Sequence, residues 1–107
     1  MKTIKNCESG ISHCPNSNTS LQSGIMPTRS FLDEGIKVGL GTDVAGGYST
    51  SIFDSIKQCI GHSKLYKSLV DPSSKPITLA EAFYMATVGG ARLLNIDREV
   101  GRFKEGM

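Results

Sequence analysis

The feature that most constrains the fold is a short apolar segment, residues 36–40, that leads directly into Gly41, Thr42 and Asp43. Its length and composition predict a buried β-strand, so that Asp43 stands at the carboxyl end of that strand. Burying an unpaired carboxylate is costly, and Asp43 therefore requires a cation, a metal ion or open water beside it. The glycines around it allow close approach of a ligand and a tight turn. A solvated turn aspartate is the simpler alternative.

The remaining segments alternate between helix and strand signals. The predicted order is a helix end, a strand, a polar loop, a helix, the strand before Asp43, a loop and two further helices. The corresponding residues are 1–9, 11–13, 14–20, 28–34, 36–40, 41–51, 52–69 and 78–95. This alternation predicts an α/β fold of parallel strands with right-handed crossovers. Because two strands make no stable parallel sheet alone, we expect residues 1–107 to be one partial domain of a larger structure.

The last two helices carry clear local signals. Apolar residues recur near helical spacing in the first of them: Ile52, Ile56, Cys59, Ile60 and Leu65. Thr78 and Glu81 form a capping box that begins the second. Gly89 and Gly90 are expected to interrupt that helix. Cys59 and His62 lie three apart, the spacing of half a zinc site, but nothing supplies the other half. Cys59 is therefore assigned to the core and His62 to the surface.

Composition excludes several classes of function. With a net charge of +2 and 21% charged residues, the chain does not have the excess of basic residues that is typical of nucleic-acid-binding proteins. No run approaches the roughly 18 apolar residues of a membrane span. The residues after Met1 contain no apolar segment, so we expect no secretory signal. The three cysteines are an odd number and do not have the spacing of a disulfide framework, so we expect reduced thiols and a cytoplasmic location.

Asp43 is the strongest candidate for chemistry. In a parallel α/β barrel the carboxyl ends of the strands line the active site, where Asp43 would ligate a metal or accept a proton from metal-bound water. His13 ends the other predicted strand, and a hydrogen-bonded structural histidine is its simpler interpretation. Cys14 has no visible base that would activate it as a nucleophile.

Five motifs together make the chain recognisable. They are His-Cys-Pro-Asn-Ser-Asn at 13–18, Gly24, Val-Gly-Leu-Gly-Thr-Asp at 38–43 followed by Val-Ala-Gly-Gly-Tyr-Ser at 44–49, Ala-Thr-Val-Gly-Gly-Ala at 86–91, and Gly-Arg-Phe-Lys-Glu-Gly at 101–106. In this order and spacing they resemble the amidohydrolase superfamily, its deaminase and chlorohydrolase branch, and within that branch the guanine deaminase family. The resemblance covers nearly the whole chain, from about residue 9 to 106.

The resemblance implies the last two strands and following helices of a (β/α)8 metal-dependent hydrolase barrel with one zinc ion. Asp43 matches the family's aspartate after strand eight, which ligates zinc and carries a proton of the attacking water. The implied reaction is hydrolytic deamination of guanine, a small purine, to xanthine and ammonia. Residues carried over as pocket-shaping are His13, Asn16, Asn18, Val44 and Gly46. The parent enzyme is expected in the cytoplasm. The resemblance also allows it to be a homodimer.

The departures from the family pattern define the alternatives. The family's other zinc ligands, all histidines, and its glutamate general acid have no counterpart here, and one carboxylate does not hold a catalytic zinc. The remaining ligands are therefore expected outside this sequence, and the chain alone is expected to be inactive. The alternatives are a related amidohydrolase acting on another heterocycle, and a short non-catalytic product that binds full-length subunits.

Overall fold

The computed structural model describes residues 2–106, and these form a mixed α/β arrangement of six helices and two strands. In chain order the elements are α1 (Lys2–Asn6), β1 (Gly10–His13), α2 (Pro15–Ser20), α3 (Thr28–Asp33), β2 (Lys37–Leu40), α4 (Ile52–Leu69), α5 (Leu79–Ala86) and α6 (Val88–Leu93). None of these helices combines the length and the hydropathy that crossing a bilayer requires.

The two strands pair in parallel, as the alternation of helix and strand signals predicts. Gly10 lies opposite Lys37 and His13 lies opposite Leu40, so the strands are of equal length and their carboxyl ends coincide. The connection between them contains α2 and α3. Because parallel strands end at the same edge of a sheet, the segments that follow His13 and Leu40 emerge side by side.

The core lies where α4 and α5 cover β2. Six buried residues form one cluster: Val38, Ile56, Cys59, Ile77, Ala82 and Met85. The amphipathic stripe predicted on α4 and the core position of Cys59 are therefore confirmed. Leu65 was placed on that stripe, and this part of the prediction is wrong because its side chain is 48% exposed.

The glycine pair 89–90 lies inside α6 and does not interrupt the helix there, so that prediction is wrong. The break comes at Thr87, whose backbone (φ −120°, ψ −97°) leaves the helical region between α5 and α6. The glycines instead allow α6 to approach β2 closely. A Cβ placed on Gly39 would lie 3.0 Å from the Cα of Gly90, so two backbones meet where side chains would keep them apart.

An ion pair joins α3 to the start of α5. Both terminal nitrogens of Arg29 donate to the carboxylate of Glu81 at 2.6 Å, and the Arg29 guanidinium also donates to the carbonyls of Lys75 and Pro76. Glu81 at the same time completes the predicted capping box with Thr78. The hydrogen bonds from Arg29 lower the pKa of Glu81 to about 2. The pair therefore stays ionised throughout the physiological range.

We predict that Gly39→Ala destabilises the fold by about 1–3 kcal/mol, because its methyl group would press against the backbone of α6. Gly61→Ala is the matched control, since a Cβ there meets no atom within 4 Å and the residue lies inside α4. The control should raise stability by about 0.5–1 kcal/mol through helix propensity. Urea unfolding of the natural polypeptide that carries this sequence, followed by circular dichroism, measures both. Equal effects of the two substitutions would contradict the proposed close packing.

Candidate functional site

The site is built where the two strands end. The backbone N–H of Gly41 donates to the carbonyl of His13 at 2.9 Å, which extends the pairing one residue beyond the sheet. The hydroxyl of Ser55, on α4, donates to the carbonyl of Gly41 at 3.0 Å. These two bonds fix the backbone two residues before Asp43, and they bring that carboxylate to the same edge as His13.

Asp43 reaches solvent, which answers the requirement for a polar environment around its charge. Its backbone is left-handed (φ 45°), a conformation that aspartate tolerates better than most residues. The N–H of Gly47 donates to the Asp43 carbonyl at 2.6 Å and closes a turn beneath the side chain. The carboxylate oxygen Oδ2 accepts a hydrogen bond from the Ser17 hydroxyl at 2.6 Å.

The polar loop predicted over residues 14–20 is wrong, because Pro15–Ser20 forms the helix α2. Proline is suited to the first position of a helix, where its missing N–H would have no partner. The small polar residues that follow have modest helix propensity, and tertiary packing compensates: Pro15, Asn16 and Ser17 are all buried. The helical conformation places Ser17 within reach of Asp43.

His62 is buried at 7% exposure, so its assignment to the surface is wrong. Its Nε2 lies 2.8 Å from the Thr19 hydroxyl, in a hydrogen bond that joins α4 to α2. Burial lowers the pKa of His62 below its usual value. Helical spacing alone did not reveal this contact, because the partner comes from a segment that was expected to be a loop.

His13 is buried at 2% exposure, and its Nδ1 has no hydrogen-bond partner within residues 2–106. The expected structural histidine is thus buried, but the structure provides no partner for that nitrogen. Burial, with a smaller contribution from the charge of His62, lowers the pKa of His13 to about 4. At neutral pH the ring is uncharged. Asn16, three residues later, is fully buried, and in the described residues its amide has no partner either.

An open cleft of about 470 Å³ lies at the strand ends. His13, Asn18 and Asp43 line it together, and so do Ser17 and Cys14. The other residues predicted to shape the pocket, Asn16, Val44 and Gly46, do not line this cleft. Asn16 is packed behind the wall, Val44 is 52% exposed on the outer turn, and Gly46 lies against Asp43 and Ser17.

Asp43 suits the role of a single metal ligand, because it lines the cleft and only its Oδ2 is engaged by a neighbouring side chain of the described chain. Within residues 2–106, however, no three His, Cys, Asp or Glu side chains come together as a possible metal site. Structural and catalytic zinc sites need at least three protein ligands. This stretch therefore offers one carboxylate, and a complete site would need further donors.

The sequence profile of the Amidohydrolase family matches residues 1–107. The chain belongs to the amidohydrolase family. The resemblance inferred from the motifs is thereby confirmed. Guanine deaminase of Rattus norvegicus is 46% identical to this amidohydrolase over 97 residues, which are 90% of this chain and 21% of the rat protein. The 5-methylthioadenosine/S-adenosylhomocysteine deaminase of Pelotomaculum thermopropionicum is 44% identical over 99 residues, 92% of this chain and 22% of that protein.

A solved structure agrees with these relatives. The guanine deaminase of C. acetobutylicum, crystallised with guanine in its active site, superposes with a TM-score of 0.85 at 40% identity. The superposition covers 96% of this chain and 24% of the C. acetobutylicum chain. This amidohydrolase sequence thus spans between a fifth and a quarter of the length of the proteins it matches.

We predict that His13 titrates with a midpoint near pH 4, well below the ordinary histidine value of 6.5. Since the folded state disfavours the charged ring, its contribution to stability is present above pH 6.5 and is lost as the pH falls towards 4. The Cε1 proton resonance in NMR spectra measures the midpoint. His62→Gln should raise the midpoint of His13 modestly, because the charge of His62 is the smaller of the two causes that lower this pKa. A midpoint near 6.5 in the folded protein would contradict the burial of this ring.

Proposed function

We propose that this chain supplies the last two strands and the following helices of the (β/α)8 barrel of a zinc-dependent guanine deaminase. The proposed reaction converts guanine and water to xanthine and ammonia. The observation that carries the proposal is the cleft at the strand ends, with Asp43 exposed in it, in a chain that superposes over 96% of its length on a guanine-bound deaminase. Ligands beyond Asp43 would come from protein outside these 107 residues.

Asp43 has two roles in this proposal. Asp43 would be the one metal ligand that this chain supplies, and its carboxylate would accept the proton of the attacking water and deliver it towards the departing amine. Zinc, when bound, lowers the pKa of its water and polarises the substrate. In the proposed reaction, water adds to the ring carbon that carries the amine, the proton held by Asp43 passes to the amine, and ammonia leaves. Both functions require the carboxylate to be held in one orientation at the cleft.

The walls of the cleft would select the substrate. His13 presents a neutral imidazole, because its pKa lies at about 4, and a neutral ring can both donate and accept a hydrogen bond. Asn18 adds an amide that can do the same. Asn16 would fix the wall from behind, and Val44 and Gly46 would shape the turn after Asp43. Such groups match the alternating donors and acceptors on the edge of a purine.

A cytoplasmic location is part of the same proposal. The three cysteines, Cys7, Cys14 and Cys59, are all free thiols, as expected in a reducing compartment. A homodimeric parent enzyme is proposed with it, on the resemblance alone.

A second candidate is deamination of another heterocycle. It is favoured by the 44% identity to a 5-methylthioadenosine/S-adenosylhomocysteine deaminase, which is nearly as high as the identity to the rat guanine deaminase. The same carboxylate chemistry would serve both substrates, because each loses ammonia from an amine-bearing purine carbon. A panel of guanine, 5-methylthioadenosine and S-adenosylhomocysteine distinguishes the two candidates by their relative kcat/KM.

We predict that Asp43→Asn lowers kcat for guanine by at least about 10²-fold, the usual size of a lost proton-transfer group. The natural polypeptide that carries this sequence should be used, purified from its source and identified by mass. Asp33→Asn is the control, since this carboxylate is 67% exposed on α3 and lies away from the cleft.

Near-normal turnover by the Asp43 variant would refute its assignment as ligand and proton carrier. Activity on the other purines but not on guanine would favour the second candidate. A natural product of only 107 residues that deaminates nothing and co-purifies with a longer copy would favour the non-catalytic alternative.

A further inference from the structure

We propose that Ser17 is a positioning residue that holds the Asp43 carboxylate in its working orientation. Its hydroxyl donates to Oδ2 of Asp43 at 2.6 Å, within the short range of hydrogen bonds to a charged acceptor. Ser17 is only 5% exposed and sits in the first turn of α2, so the donor is fixed by packing. The inference deepens the proposed function and depends on Asp43 being a ligand.

The turn after Asp43 is shaped around this hydrogen bond. A Cβ on Gly46 would lie 2.9 Å from Oδ2 of Asp43 and 2.9 Å from the Ser17 hydroxyl oxygen. Real Cβ atoms essentially never come so close, so any side chain at 46 would push the two partners apart. A Cβ on Gly47 would collide first with the carbonyl oxygen of Thr42, so that glycine is required by the turn itself. Gly46 is the glycine that serves the contact between Ser17 and Asp43.

Helix α4 fixes both partners of the bond. On the donor side, His62 of α4 is hydrogen-bonded to Thr19, two residues after Ser17 in α2. On the acceptor side, Ser55 of α4 holds the carbonyl of Gly41, two residues before Asp43. Because one helix is hydrogen-bonded to both segments, it sets the distance between Ser17 and Asp43.

The consequence for Asp43 is restricted rotation. With Oδ2 held by Ser17, the carboxylate keeps one orientation, and the other oxygen remains available to a metal ion or a proton. Partners of metal-ligating side chains commonly change metal affinity or activity by 10–100-fold when removed. Ser17 does not have to touch the substrate to act in this way.

The test compares Ser17→Ala with Ser73→Ala in the natural polypeptide that carries this sequence. Zinc affinity is measured by competition with a chromophoric chelator, and kcat and KM are measured with guanine. Ser17→Ala should weaken zinc binding and lower kcat by about 10–100-fold each, with KM changed less than about twofold. Ser73→Ala removes a serine hydroxyl bond of the same 2.6 Å length to another carboxylate, that of Asp71, and neither residue lines the cleft. Its zinc affinity should be unchanged.

Gly46→Ala provides an independent disruption of the same bond. It should lower zinc affinity and kcat as Ser17→Ala does, and the double variant should be no worse than either single variant, because both remove one interaction. Additive losses, wild-type zinc affinity in Ser17→Ala, or equal losses in Ser17→Ala and Ser73→Ala would each overturn the positioning role.

The two proposals can fail separately. If Ser17→Ala weakens zinc binding in a protein that does not act on guanine, the substrate is wrong and the role of Ser17 stands. If Asp43→Asn abolishes zinc binding and turnover while Ser17→Ala behaves as the wild type, the function stands and the role of Ser17 is refuted.

Discussion

The parallel pairing of β1 with β2 is the interaction on which the rest of this structure depends. The strands are paired from Gly10 and Lys37 to His13 and Leu40, so both chains leave the sheet at one edge. A shift of one residue would turn Val38 away from the core that α4 and α5 provide, because side chains alternate across a strand. The register that buries Val38 therefore also brings His13 and Asp43 to the same cleft.

Helix α4 then turns this edge into an organised site. It covers the sheet with Ile56 and Cys59, and from the same turns it holds the strand end through Ser55 and α2 through His62. The same helix therefore contributes both to the stability of the fold and to the geometry of the site. This explains why Ser55 and His62 are as buried as the apolar residues of α4: both are hydrogen-bonded to the segments that carry the site.

Much of this arrangement could be predicted from local patterns, and three of the errors have one cause. The long helix α4, the capping box of α5 and both strands follow from apolar spacing and cap residues, which act within a few positions along the chain. The helix α2, the burial of His62 and the helical glycines of α6 were missed because each depends on a distant partner. The intrinsic propensities of residues 15–20 predict a turn. These residues form a helix because they pack against α4.

By itself the sequence determined the mixed α/β class, the place of Asp43 after a buried strand and the motifs by which the family is recognised. These properties depend on hydrophobic periodicity and on residue identity, which can be read along the chain. Only the tertiary structure decided which group contacts the Asp43 carboxylate, since Ser17 lies 26 residues away and reaches it through a helix that no local signal predicted. Contacts between distant segments depend on the sheet register and on helix packing, and no single stretch of sequence encodes either.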